Sequence, residues 1–189
     1  MTIPNLITIG RLVLVPLIVW LMISGKPAGA FICFLAAGAS DAVDGFLARQ
    51  FNLRSDLGAY LDPLADKALL VSIYIALAML DEIPVWVAIL VVSRDLFIVA
   101  AVVLSWMIGQ PIEVRPLAVS KINTVAQIVL AGFVLGELAV GVHLDIVRTG
   151  LIYLVGVLTV ASAGAYLVDW VQLLGGIETP HRGDGDGPR

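Results

Sequence analysis

Six apolar runs separated by short polar breaks organise the chain. They lie at approximately 5–24, 28–49, 57–80, 84–107, 117–137 and 147–173, each near the roughly 20 residues a helix needs to cross a bilayer. The breaks carry turn chemistry: SGKPAG after the first run, NLRSD after the second, DEIP after the third and GQPIEVRP after the fourth. This pattern predicts an all-α, polytopic membrane protein with six transmembrane helices. An even number of spans puts both termini on one side. Arg49, Arg54, Arg115, Lys121, Arg182 and Arg189 fall on that side, against Lys26 and Arg148 on the other. The excess of basic residues places both termini in the cytoplasm. Residues 1–175 read as one membrane domain, and 176–189, ending HRGDGDGPR, as a short disordered tail. The opening stretch, MTIPNLITIGRLVLVPLIVWLMISG, has neither a basic n-region nor an A-x-A cleavage site, and reads as a retained first span.

Composition strengthens the membrane reading. Of 189 residues, 60% are hydrophobic and 14% charged, where an ordinary soluble domain carries about 25% charged residues. Mean hydropathy is +1.01. The net charge of −4 carries little information, because the acids are unevenly placed, five of the fifteen falling between Asp41 and Asp66. No basic cluster suggests a nucleic-acid partner. Cys33 is the single cysteine, so no disulfide framework exists, and it reads as a packing residue.

The acids define the candidate chemistry. In the stretch SDAVDGFLARQFNLRSDLGAYLDPLADKALL, residues 40–70, Asp41, Asp44, Gly45 and Ala48 stand at i, i+3, i+4 and i+7 on one helical face. Gly58, Asp62 and Asp66 stand at i, i+4 and i+8 on another. Folding the second and third spans about a turn near residue 53 brings Asp41 level with Asp66, Asp44 with Asp62 and Ala48 with Gly58. The expected result is two facing layers of carboxylates in a pocket open to the cytoplasm. Four such acids cannot all stay ionised without positive charge between them. Hard oxygen donors favour Mg²⁺ or Mn²⁺, and such ions hold phosphates. Gly45 and Gly58 would let a nucleotide or pyrophosphate approach the backbone, and Arg49 could supply a forked donor to a phosphate.

These positions spell D-x2-D-G-x2-A-R-x8-G-x3-D-x3-D, met at Asp41, Asp44, Gly45, Ala48, Arg49, Gly58, Asp62 and Asp66. The arrangement resembles the motif of the CDP-alcohol phosphatidyltransferase family, and six spans agree with that family's fold. The resemblance implies a CMP-forming transfer, in which CDP-diacylglycerol binds with its pyrophosphate at a centre of two Mg²⁺ or Mn²⁺ ions. It implies Asp41, Asp44 and Asp62 as metal ligands, and Asp66 as general base and further ligand. Gly45, Ala48, Arg49 and Gly58 would line the CDP site. Two branches differ in acceptor: cardiolipin synthases use phosphatidylglycerol, and phosphatidylglycerophosphate synthases use glycerol 3-phosphate. IPNLITIGRLVLVP resembles both, whereas LDPLADKALLVSIYIALAMLDEIP, VVSRDLFIVAAVV and VSKINTVAQIVL look more like the first. The second branch typically shows an Arg-Glu pair and a further arginine one to two turns on. Here Arg94-Asp95 is followed by LFIVAAVVLSW, so the expected acceptor is phosphatidylglycerol. The family further implies a homodimer, which Gly150, Gly156 and Gly164 could serve as a small-residue surface. With no transit peptide in view, the expected site is a bacterial inner membrane.

Further polar positions are secondary candidates. Arg94 and Lys121 are candidates for the acceptor's phosphate, against a structural ion pair for the first and snorkelling to headgroups for the second. Asn5, Thr8 and Arg11 share a face of the first span and would shape the pocket rim or anchor at the interface. Lys67 reads as a counter-charge. Glu137, His143 and Asp145 are expected to be solvated on the far side, and Asp169 to face the headgroups. Trp20, Trp86, Trp106 and Trp170 read as interface anchors. Intramembrane prenyltransferases share the chemistry without the Gly and Ala-Arg framework. A cation- or proton-coupled transporter would need polar groups continuing outward, whereas AGAFICFLAAGA and VSIYIALAML are apolar.

Overall fold

In a computed structural model of the chain, the backbone is described for residues 3–51, 56–107 and 118–174, and side chains for 8–40, 65–100 and 118–168. These residues form six α-helices: α1 (Ile3–Ile23), α2 (Pro27–Phe51), α3 (Asp56–Met79), α4 (Val85–Met107), α5 (Ala118–Val140) and α6 (Asp145–Leu174). Each coincides with one apolar run to within about three residues. The all-α expectation is met, with no strand among the described residues.

The helix ends follow from local chemistry. Gly25 takes a left-handed φ of 67°, which lets its N–H reach the Met22 carbonyl at 3.1 Å and the Lys26 N–H reach that of Leu21 at 2.9 Å. This pair of bonds satisfies the orphan carbonyls at the end of α1. Pro27 then opens α2, where a missing N–H does no harm. The same pattern closes α3, where Asp81 occupies the left-handed position with φ 60° and the Glu82 N–H bonds the Leu77 carbonyl at 2.9 Å. Gly141, at φ 73°, closes α5.

Neighbouring helices form a ring in the order α1, α2, α5, α6, α4, α3 and back to α1, with α3 and α5 also touching across the centre. The core therefore lies between the two central helices and their neighbours. Leu69, Ile73, Tyr74 and Leu77 of α3 meet Leu130, Ala131, Val134 and Leu135 of α5, joined by Ile18, Phe34, Val91 and Val155. The outside is equally apolar: Val13, Ile32, Met79, Phe97, Ile146 and Val157 are between 65% and 90% exposed. A surface of that kind is costly in water and neutral in lipid. By length and composition, Ala118–Val140 and Asp145–Val168 are long and apolar enough to cross a membrane, and Thr8–Ile23 and Pro27–Ser40 are shorter apolar stretches.

Candidate active site

The acidic motif falls on the end of α2 and the start of α3. Asp41, Asp44, Gly45, Ala48 and Arg49 lie in the last three turns of α2, and Gly58 and Asp62 in the first two of α3. Their side chains lie outside the described residues, so the expected level-for-level facing of the four carboxylates does too. Asp66 is described, and it is half exposed.

The partner of Asp66 comes from α1. Thr8, Arg11, Ile18 and Met22 follow helical spacing and are all buried, while Ile9, Leu12 and Val13 face outward. α1 packs against both α2 and α3, and its inward stripe points Arg11 at the third helix. The Arg11 guanidinium donates through Nη1 to Asp66 Oδ1. The two expectations for Arg11 are thereby separated: it is buried against the motif and does not anchor at the interface.

Next to Asp66, Lys67 begins a second polar group that ties α3 to three other helices. Its Nζ lies 3.0 Å from Asp95 Oδ1. The same oxygen accepts from Arg94 Nη1 at 2.5 Å. Arg94 is itself buried and donates to Ser120 Oγ of α5 at 2.5 Å and to Ser162 Oγ of α6 at 2.9 Å. Its guanidinium carbon stands 5.8 Å from the centre of the Tyr166 ring. Lys67 is thus a counter-charge, as expected, and Asp95 is the acid it serves. Arg94 is the joint of the bundle here, with donors committed to α4, α5 and α6.

One layer deeper, Thr159 Oγ1 donates to Asn123 Oδ1 at 3.0 Å, and the Tyr74 hydroxyl to the Gln127 carbonyl oxygen at 3.1 Å. The side-chain amide of Gln127 is buried with no hydrogen-bond partner among the described residues. Lys121, by contrast, is exposed and Thr124 half-buried, so the face of α5 that carries Lys121, Thr124 and Gln127 turns progressively inward. Sequence reasoning missed Ser120, Asn123, Thr159 and Ser162. The available signal was their spacing, since Ser120, Asn123 and Gln127 stand at i, i+3 and i+7 on α5.

At the opposite end of the bundle one expectation is corrected. Glu137 is not solvated: it is buried, and it accepts from Arg148 Nε at 2.8 Å and from the Leu144 N–H at 2.5 Å. Arg148 also reaches Glu82 Oε2 at 3.1 Å. A carboxylate that ends α5 next to a tight turn is shielded by that turn, and the cation on α6 takes the place of water. His143 and Asp145 are exposed, as expected. Trp86 is partly exposed, but its ring covers Gly156, where an added Cβ would lie 2.9 Å from the ring. Gly156 is therefore occupied by the chain's own packing.

Of the groups that could bind a metal, the described residues bring no three together. The donor set of the motif is four carboxylates without His or Cys, a composition that fits hard divalent ions.

The buried Arg11 thus pairs with the last aspartate of the sequence motif that resembles that of the CDP-alcohol phosphatidyltransferase family. Comparison with known proteins agrees. The model of the family described as CDP-alcohol phosphatidyltransferase matches residues 1–163, and the chain belongs to that family. It is 36% identical over 182 residues to a cardiolipin synthase (CMP-forming) / mitochondrial hydrolase fusion protein of Schizosaccharomyces pombe, covering 88% of this chain and 31% of that one. It is 35% identical over 191 residues to a chloroplastic CDP-diacylglycerol--glycerol-3-phosphate 3-phosphatidyltransferase of Oryza sativa, covering 92% and 58%. A CDP-diacylglycerol--glycerol-3-phosphate 3-phosphatidyltransferase of Bacillus subtilis is 33% identical over 142 residues, covering 67% and 72%. The chain thus spans 31% and 58% of the first two relatives' length.

Proposed function

We propose that the chain transfers a phosphatidyl group from CDP-diacylglycerol to a glycerol-containing acceptor with release of CMP. The observation that carries this reading is the eight-position motif on the end of α2 and the start of α3, inside a family match that covers 1–163. The acceptor hydroxyl attacks the phosphorus that bears the diacylglycerol. The bond from that phosphorus to the CMP oxygen breaks, and the hydroxyl proton passes to the Asp66 carboxylate. Asp41, Asp44, Asp62 and, in its second role, Asp66 would hold two Mg²⁺ or Mn²⁺ ions, whose charge stabilises the pyrophosphate as CMP leaves. Gly45, Ala48, Arg49 and Gly58 line the CDP side.

The proposed acceptor is phosphatidylglycerol, which gives cardiolipin. What supports it is the charge around Arg94. Arg94 is committed to the bundle, sharing Asp95 with Lys67 and giving its other donors to Ser120 and Ser162. A small dianionic acceptor such as glycerol 3-phosphate would call for surplus positive charge, and the sequence after Asp95 offers no second arginine within two turns. Lys121, exposed on α5, is the proposed direct contact to the acceptor phosphate, with Arg94 lending charge from behind the Ser120 hydroxyl. The second reading, glycerol 3-phosphate as acceptor, is favoured by the rice and Bacillus relatives.

All six helices are proposed to span a membrane, with both termini cytoplasmic, residues 1–175 as the membrane domain and 176–189 as a tail. The largely apolar perimeter of the described residues supports the spans. A bacterial inner membrane is the proposed location, in keeping with the Bacillus relative, most of whose length the chain covers. A homodimer is proposed too, with Gly150 and Gly164 open to a neighbour.

Replacing the base tests the chemistry. Asp66→Asn should leave CDP-diacylglycerol binding largely intact while CMP release falls about 10²–10⁴-fold; a near-normal rate would remove Asp66 from the role. Asp41→Ala should weaken both the Mn²⁺ titration and nucleotide binding, and an unchanged titration would remove it as a ligand.

A further inference from the structure

The geometry points to Arg11 as the positioning residue for the Asp66 carboxylate, an assignment that rests on Asp66 being the base. Three observations carry it. First, the pair is asymmetric: the Arg11 side chain is 0% exposed and that of Asp66 is 45% exposed. The cation is locked in the bundle and the anion is presented at its surface, the arrangement expected of a fixed mount and a working group. Secondly, the contact joins positions 55 apart. It is therefore set by the packing of α1 on α3 and not by local turn geometry. Thirdly, Arg11 sits on the same inward stripe as Thr8, Ile18 and Met22, so its stem is held by the packing of α1. A planar guanidinium fixes the direction of a carboxylate as well as attracting it.

A carboxylate on a helix has freedom about two side-chain torsions. Fixing one of its oxygens on Arg11 removes part of that freedom and sets the orientation in which the carboxylate meets an acceptor hydroxyl. Lys67, the next residue, is meanwhile drawn to Asp95 of α4. The turn of α3 that carries the base is thus braced from two sides, by α1 and by α4. Displacement of a reacting group by about 1 Å can cost on the order of 10²-fold in rate, which sets the size of the effect expected from losing the mount.

The test uses purified full-length protein in detergent, CDP-diacylglycerol, Mn²⁺ and phosphatidylglycerol or glycerol 3-phosphate. Arg11→Met should lower kcat about 100-fold while the KM for CDP-diacylglycerol stays within a factor of about two and Mn²⁺ bound per chain, read by electron paramagnetic resonance, is unchanged. Arg11→Lys keeps the charge on a flexible, non-planar head, and should restore kcat above that of Arg11→Met. In an Asp66→Asn background Arg11→Met should cost nothing more, because it acts through Asp66. A large rise in KM at preserved kcat would make Arg11 a phosphate ligand and overturn the assignment. Equal kcat in wild type and Arg11→Met would overturn it as well, as would losses that multiply in the double variant. Should Arg11→Met fail to fold, the same split between kcat and KM in Arg11→Lys decides. A wild type that releases no CMP with either acceptor overturns the proposed function and this assignment together, whereas an active wild type matched by its variants overturns the assignment alone.

Discussion

Two kinds of polar residue are buried in this bundle, and their partners tell them apart. Arg11, Arg94, Asp95 and Glu137 each have an opposite charge in contact, as burial demands of an ion. Gln127 has none of its side-chain bonds made among the described residues. A buried amide in that condition carries a desolvation cost with no compensating bond. Gln127→Leu should therefore raise thermal stability in detergent by about 1 kcal/mol, visible as a higher unfolding midpoint. A lower midpoint would mean that the amide is bonded, to water or to substrate. The local half of this chemistry was legible beforehand, because Asp41 to Asp66 have a spacing that can be counted along the chain. The partner of Asp66 was not, since Arg11 is 55 positions away and only the packing of α1 brings it in.

At the scale of helices, hydropathy gave the elements and left their neighbours undetermined. Apolar runs are local, so the six helices could be placed to within a turn. The ring order, in which α2 lies beside α5 and α4 beside α6, depends on contacts between distant positions such as Arg94 and Ser162. Glu137 shows the same limit. It stands at the end of an apolar run near a polar turn, so solvation was the natural expectation, and only Arg148 and Glu82 arriving from other elements reverse it. This ion group staples the α5–α6 turn to the α3–α4 turn. Arg148→Met would leave Glu137 buried and unpaired, and should cost about 3 kcal/mol, read as a drop in unfolding midpoint while kcat measured in the cold is retained. An unchanged midpoint would show the staple to be dispensable. A lost kcat would show that the two ends of the bundle are coupled.

Among the described residues the bundle is apolar inside and out, with its ion pairs gathered around Asp66 and Asp95 at one end and around Glu137 at the other. That distribution suits a catalyst whose lipid tails remain in the bilayer while the headgroup reacts at one face. It also makes the orientation testable. A cysteine at Lys26, in a Cys33→Ala background, should react with a membrane-impermeant maleimide added to intact cells, and one at Arg54 only after the cells are opened. The reverse pattern would invert the proposed topology.

The central claim is the transfer itself, and the most direct measurement is product identity. Purified protein would receive CDP-diacylglycerol and Mn²⁺ together with equal amounts of phosphatidylglycerol and glycerol 3-phosphate, with CMP quantified and the lipid product weighed by mass spectrometry. Cardiolipin in step with CMP is the predicted result. Phosphatidylglycerophosphate in step with CMP would uphold the catalytic centre and contradict the acceptor drawn from Arg94 and its partners. A protein that is folded and binds Mn²⁺ yet releases no CMP would contradict the account.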